Sequence, residues 1–286
     1  MPIFKGGANV VRVDVQVQDG AGLLTGLEQK DFIVFDENTQ QITTHFDRQR
    51  EAMSLVLLLD VSGSMAKFID AMARSSRQAM ANLKNGDKVA VMLFSRSQKV
   101  KQELTDDFDS VARQINSAVN DKSVGSGTLI NHAVVAAADY LATTAPIGRR
   151  SILIVTDNLG LNYQLNNEQV LRKLHGSSSV LNAIVVGRGK RPDAVPSRYT
   201  NTDFTPSNVF HLAEETGGEA FTPEKVESAL ASIFERIRSR YALEYSAPVP
   251  AKPGEFHKIR VFLSPEAERR YPKAKLRTRA GYYAAE

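Results

Sequence analysis

The sequence predicts an α/β protein: a doubly wound, mostly parallel sheet with helices on both faces, plus a small β-sandwich formed by the N- and C-terminal segments. Three observations carry this. Between Ser54 and about Tyr241, short apolar runs alternate with amphipathic stretches at helical spacing, the pattern of a parallel sheet covered on both sides. Residues 55–59, Leu-Val-Leu-Leu-Leu, are continuously apolar and read as a central strand buried on both faces. Outside that region Val11, Val13, Val15 and Val17 alternate with Arg12, Asp14 and Gln16, as in a half-buried antiparallel strand.

The remaining elements follow in order. After the 55–59 strand, Ile69, Met72, Ala79, Met80 and Leu83 form a helical stripe, which Asn85-Gly86-Asp87 ends with Gly86 as a left-handed cap. Residues 88–95 read as a buried strand, with 98–104 as an edge beside it and 110–119 as a short helix. Alanine-rich 129–141 is a helix suited to close packing, and 152–157 is a second buried strand. A helix at 168–174 and a strand at 180–186 lead to 187–206, a polar, proline-containing loop read as the most mobile segment. A helix at 209–215 and an edge strand at 219–222 come next. The helix from Pro223 to about Arg240 then places Val226, Leu230, Ile233, Phe234 and Ile237 on one face. Residues 32–35 and 42–46 near the start, and 241–245, 258–263 and 275–278 near the end, are strand-like. Neither end has enough strands to bury a face alone. The expected organisation is one β-module assembled from 1–50 and 242–286, with the α/β domain, 51–241, inserted into it.

With 286 residues, 42% of them hydrophobic and 24% charged, the chain has the composition of a globular protein with a full core. Its apolar runs are too short to span a bilayer, and the first residues contain no signal-peptide-like stretch. There is no cysteine, which excludes disulfides, thiolate metal sites and a cysteine nucleophile. The formal net charge is +4, and the basic residues crowd the last fifty positions without interleaved aromatics, so they read as solvated faces and not as a nucleic-acid surface.

The chemistry concentrates where the first buried strand ends. Asp60, Ser62 and Ser64 place one carboxylate and two hydroxyls at alternating positions, with Gly63 allowing a tight turn. In open parallel sheets that edge is where ligands bind. Oxygen donors without imidazole or thiolate suit a hard cation, Mg²⁺ or Mn²⁺, better than zinc. Two further segments end in similar groups: Gly125-Ser-Gly-Thr128 opens the alanine-rich helix, and the 152–157 strand ends in Asp157. Taken singly, Ser62 and Ser64 could instead cap the following helix, and the aspartates could be ordinary polar strand ends.

Asp60-x-Ser62-x-Ser64, Thr128 and Asp157, in this order, resemble the metal-ion-dependent adhesion site of von Willebrand factor type A (VWA) domains. The flanking segments, Asp-Phe-Ile-Val-Phe-Asp-Glu early and Arg-Ala-Gly-Tyr-Tyr late, resemble bacterial VWFA-related proteins over nearly the whole length. The family usually has glycine after the last aspartate; this chain has Asn158, which also tolerates left-handed backbone angles. The resemblance implies that Ser62, Ser64 and Thr128 ligate Mg²⁺ or Mn²⁺ directly, while Asp60 and Asp157 order waters and hydroxyls around it. It implies a partner protein that donates an Asp or Glu carboxylate, a role in adhesion or assembly, and a location outside the cytoplasm.

Other chemistries fit less well. No P-loop, dinucleotide fingerprint or nucleophile elbow is present, and Gly187-Arg-Gly-Lys190 reads as the start of a solvated loop. The histidines are scattered, and His132 alone lies near the Thr128 loop. The remaining alternatives are a metal-assisted phosphoryl hydrolase built on Asp60 and a structural subunit with a vestigial site. The first lacks a second acid in the loop, and a serine hydroxyl is no general base at neutral pH. No residue is therefore assigned as catalytic.

Overall fold

Strict alternation at the amino end and unbroken apolar runs in the middle produce two different kinds of sheet. The computed structural model describes residues 10–20, 22–48, 50–119, 121–192, 204–248 and 252–284. First come β1 (Val10–Asp19), β2 (Gly22–Leu23), β3 (Phe32–Asp36), β4 (Thr39–Gln41) and β5 (His45–Arg48). Alternation of strand and helix begins with β6 (Met53–Asp60), α1 (Ala66–Met80), β7 (Lys88–Phe94), β8 (Gln98–Thr105), α2 (Phe108–Ala118) and α3 (Ile130–Thr144). It continues through β9 (Arg149–Thr156), β10 (Leu161–Tyr163), α4 (Asn167–Gly176), β11 (Ser179–Val185), β12 (Phe204–Pro206), α5 (Val209–Glu215), β13 (Ala220–Phe221) and α6 (Val226–Arg238). Last are β14 (Tyr241–Ser246), β15 (Phe256–Leu263), α7 (Pro265–Arg270), β16 (Lys275–Arg277) and β17 (Gly281–Tyr283). These elements gather into two units: Glu51–Arg238, and the described residues up to Arg50 together with those from Ser239 onward.

In the Glu51–Arg238 unit a six-stranded sheet runs β13-β11-β9-β6-β7-β8, parallel throughout except for β8, which is antiparallel to β7. Every residue of β6 is buried. Leu55, Leu57 and Leu59 join the core shared with α1, α2 and α6, while Val56 and Leu58 join the one shared with α3, α4 and α5. Each fully buried leucine is worth about 1.5–3 kcal/mol over an exposed one, so β6 is held hard from both sides. Its terminal Asp60 is correspondingly fixed. At the opposite edge Asp87 accepts from the Met53 N–H at 2.8 Å and the Lys84 N–H at 2.9 Å. The same carboxylate meets the buried Arg238 guanidinium at 3.1 Å, and Arg238 also donates to the Glu51 carbonyl.

The other unit contains two antiparallel sheets, β16-β1-β14-β5 with β2 beside β1, and β17-β15-β3-β4. They enclose a core of Val13, Val15, Val17, Val34, Tyr241, Leu243, Ile259 and Val261 among others. Asp36, at the end of β3, is fully buried and takes hydrogen bonds from the hydroxyls of Tyr245 and Tyr282, both at 2.8 Å, while His257 Nδ1 lies 3.0 Å from its other oxygen. Tyr245 belongs to one sheet and Tyr282 and His257 to the other, so one carboxylate ties the two together.

Several expectations change in detail. Asp14 and Gln16 are buried, so β1 is not half-exposed; Arg12 lies over the Asp14 carboxylate, Nη2 donating at 3.2 Å. Ile42 is 85% exposed and precedes β5 instead of starting a strand. Helix α1 stops at Met80, and Gly86 (φ 91°) serves a separate turn, closed by Asp87 N–H to Lys84 carbonyl. Helix α6 begins at Val226, not Pro223. Within the long loop, 204–206 is strand β12, which pairs antiparallel with β10; of the 187–206 segment expected to be mobile, residues 193–203 lie outside the described residues. No described helix is long and apolar enough to cross a membrane.

Candidate functional site

Parallel pairing sets the frame. β6 lies between β7 and β9, with Asp60 level with Phe94 on one side and Leu59 level with Val155 on the other. That register brings Thr156 beside Asp60, and its hydroxyl donates to Asp60 Oδ2 at 2.7 Å. The Ser62 N–H donates to Oδ1 at 3.0 Å. Asp60 is fully buried, and burial pushes its carboxyl above the usual range; the hydrogen bonds from Ser62 and Thr156 pull the other way, and the charge of Asp157 adds to the rise.

After Asp60 the chain makes a single 3₁₀ turn, closed by Met65 N–H to Ser62 carbonyl at 2.9 Å, before α1 begins. Neither serine hydroxyl caps that turn or the helix. The Ser62 and Ser64 oxygens lie 3.4 Å apart, and the Ser64 hydroxyl donates to Asp157 Oδ2 at 2.7 Å. A serine released from capping and aimed at a carboxylate from another strand is not behaving as a helix end. The simple capping reading of Ser62 and Ser64 is therefore set aside.

Asp157 is nearly buried, and its Oδ1 accepts from the Leu159 N–H at 3.1 Å. Asn158 has φ 55°, the left-handed angle that asparagine tolerates, and its side chain accepts from Val209 N–H and donates to the Lys190 carbonyl at 3.1 Å. Gly189 packs so closely here that a Cβ would sit 2.2 Å from the Asp157 carbonyl oxygen and 2.6 Å from Val185 Cγ1. Neither obstacle is the end of a flexible side chain. Gly189→Ala is expected to cost about 2–3 kcal/mol, as overpacking does, and Gly176→Ala, which meets nothing within 4 Å, close to nothing. Thermal melting of the two variants checks this; equal melting temperatures would show that the Asp157 turn gives way freely.

Thr128 arrives from a third segment. The Ser95 hydroxyl donates to the Gly127 carbonyl at 2.6 Å, Leu129 N–H donates to the Ser95 carbonyl at 2.9 Å, and Gly125 and Gly127 hold φ of 79° and 136°. The loop is thus pinned to the end of β7. Gly160, three residues past Asp157, lies under it: a Cβ there would be 2.5 Å from the Thr128 carbonyl oxygen. Among the described residues no hydrogen bond joins Thr128 to the other four. Asp60, Ser62, Ser64 and Asp157 form one hydrogen-bonded set that Thr128 does not join. His132, one turn into α3, is half-buried and has no hydrogen bond to any of them.

Sequence reading missed Thr156, Ser95, Gly160 and Gly189. Thr156 carried a legible signal, a hydroxyl closing the apolar run 152–155 one residue before Asp157. The others depend on which loops meet across the sheet edge, which no local pattern reveals. Among the described residues no three His, Asp or Glu side chains gather as a metal-binding group, so any cation at this edge would have to use the hydroxyls.

The family model "VWA domain containing CoxE-like protein" matches residues 22–195, more than half of the chain. No curated protein matches significantly. Among solved structures, proximal thread matrix protein 1 from the mussel byssus is 12% identical with a TM-score of 0.51, over 76% of this chain and 51% of that one. A von Willebrand factor type A protein from Catenulispora acidiphila is 13% identical over 99% of this chain and 76% of that one, with a TM-score of 0.48. An aerotolerance-related membrane protein from Bacteroides fragilis is 19% identical over 65% of this chain and 98% of that one, with a TM-score of 0.49. With the family model covering the β6 loop, the Thr128 loop and the Asp157 strand together, the chain belongs to the VWA domain containing CoxE-like proteins.

Proposed function

We propose that Asp60, Ser62, Ser64, Thr128 and Asp157 hold a divalent cation, Mg²⁺ or Mn²⁺, through which the protein binds an Asp or Glu carboxylate of a partner protein. The observation that carries this is the link from Ser64 to Asp157, with Ser62 beside it and no helix capped by either serine. Two buried carboxylates face the same spot, and no Lys, Arg or His among the described residues pairs with either. Buried charge of one sign normally has a partner. The donors are all oxygen, as a hard cation requires.

When bound, the cation supplies a positive charge that neutral hydroxyls leave largely uncompensated. The protein's own groups do the positioning. Thr156 and the Ser62 N–H hold the Asp60 carboxylate still, Asp157 fixes the Ser64 hydroxyl, and Ser95 with the two glycines presents Thr128. Among the described residues no His or Lys hydrogen-bonds to Ser62 or Ser64, and the site is read as holding a ligand and not transforming one, in adhesion or assembly outside the cytoplasm. Residues 1–50 and 242–286 are read as a β-module that carries the binding domain.

Titration calorimetry with Mn²⁺ tests the assignment. Wild type is expected to bind, Asp60→Ala and Ser64→Ala to lose binding, and neither metal to support turnover of a generic phosphate ester. Equal affinity in wild type and Asp60→Ala would overturn the site, and metal-dependent ester turnover would favour the hydrolase.

A further inference from the structure

The rim of the site is unusual in two respects that the metal reading does not use. The first is charge. Arg188 and Lys190 flank Gly189, whose backbone lies against the Asp157 carbonyl. Arg96 packs its Cβ under Gly125 and Gly127 of the Thr128 loop. All three side chains are exposed and form no ion pair among the described residues. Across 61–67, 95–98, 122–129, 157–163 and 187–190 the sole acidic residue is the buried Asp157, and Asp121, at the start of the Thr128 loop, is taken up by an ion pair with Lys101 at 2.6 Å. Unpaired cations that surround a site without interspersed acids raise the local concentration of anionic ligands and speed their encounter.

The second is an apolar ribbon. Leu161 and Tyr163 of β10 stand level with Pro206 and Phe204 of β12, so all four side chains share one face. Leu161 is 60% exposed, Tyr163 45% and Phe204 43%, with Leu159, 61% exposed, leading into them from Asp157. The Tyr163 and Phe204 rings lie 5.2 Å apart. The opposite face is firmly anchored: Asn162 is buried, accepts from Asn131 N–H at 2.8 Å and donates to Ser207 Oγ at 3.1 Å. A ribbon that spends buried hydrogen bonds on one face and leaves aromatic and aliphatic groups bare on the other has the character of an interaction surface.

Resting on the metal reading, we propose that the partner is an extended acidic segment of another protein with an apolar residue beside its acidic run. One carboxylate completes the metal site, its neighbours meet Arg96, Arg188 and Lys190, and the apolar residue lies on the Leu161, Tyr163, Phe204 face. The cations select against neutral or basic segments. The ribbon separates an acidic protein segment from a purely polyanionic ligand, which has nothing to place there.

The test is fluorescence anisotropy of the full chain with three labelled synthetic peptides: Glu-Asp runs flanking a Leu-Phe pair, the same runs flanking Ser-Ser, and a Gln-Asn version retaining Leu-Phe. With Mg²⁺ present the first is expected to bind at least roughly tenfold tighter than either control. Arg188→Glu with Lys190→Glu is expected to weaken it by about tenfold or more, and added salt to weaken it further. Leu161→Ser with Tyr163→Ser is expected to weaken the Leu-Phe peptide and leave the Ser-Ser peptide unchanged. All four side chains are exposed, and circular dichroism melts confirm the fold of each variant. Absence of binding, equal binding of the Ser-Ser peptide, or indifference to the charge reversal overturns the proposal. Binding that survives EDTA but is lost on charge reversal would keep this surface and overturn the metal reading, whereas binding that needs Mg²⁺ but ignores both pairs of substitutions would do the reverse.

Discussion

Asp87→Ala should lower the stability of the Glu51–Arg238 unit by about 3–5 kcal/mol, the cost of leaving one partner of a buried ion pair behind. The carboxylate has no exposed surface and serves the Met53 and Lys84 amides as well as Arg238. Alanine therefore orphans two amide hydrogens and takes the carboxylate away from a guanidinium that is itself almost wholly buried. Against a typical total of about 5–15 kcal/mol this is a large fraction. For a unit of this size the melting temperature should fall by roughly 6–20 °C. The decisive comparison is the double variant Asp87→Ala with Arg238→Met, in which both charges of the pair are removed together. It should be more stable than Asp87→Ala alone, and equal melting temperatures of the two would show that the ion pair is not the cause.

Asp36→Ala should be of similar size in the other unit, about 3–5 kcal/mol, because three groups lose one acceptor. Burial first, and then the Asp36 carboxylate, hold the Tyr245 and Tyr282 phenols above their ordinary range, which favours the protonated, donating form of both. Asn at position 36 keeps an acceptor of the same shape and should lose less. The chain has no tryptophan and eight tyrosines, five of them from Tyr241 onward, so near-ultraviolet circular dichroism is weighted towards this unit. Denaturation followed at those wavelengths should shift to lower urea in Asp36→Ala; an unchanged midpoint would mean that water replaces the carboxylate without loss.

What could be read from the sequence was whatever one segment decides alone. Residues 55–59 announce β6 because a strand covered on both faces has no polar position; Asp60, Ser62 and Ser64 stand out at its abrupt end, as Asp157 does just past β9. Beyond the expectation that the two ends share one β-module, interactions between distant segments were not visible. β10 and β12 are three residues each and separated by a helix and a strand, too short for any periodicity. Asp14 and Gln16 looked outward because alternation marks polarity and not exposure; Arg12 covers Asp14 from within its own strand. Helix α7 did leave a signal, Ser264 before Pro265, and the serine does cap it, accepting from Ala267 N–H at 3.3 Å. Stop signals misled in the opposite way: Gly86 marks a turn, yet α1 had already ended.

The contact between Arg238 and the Glu51 carbonyl joins the last residue of one unit to its first. The strands that pair on either side of it, β1 with β14, come from opposite ends of the chain. In an unfolded chain, closing a loop of that length costs about 5 kcal/mol of entropy before a single strand pair repays it. Once the intervening unit has folded, its two exits are already adjacent, and the strands meet at the high effective concentration of a short tether. An order of events during synthesis is expected from this: the middle of the chain folds first, and β1, paired until then only with the neighbouring β2, finds β14 afterwards.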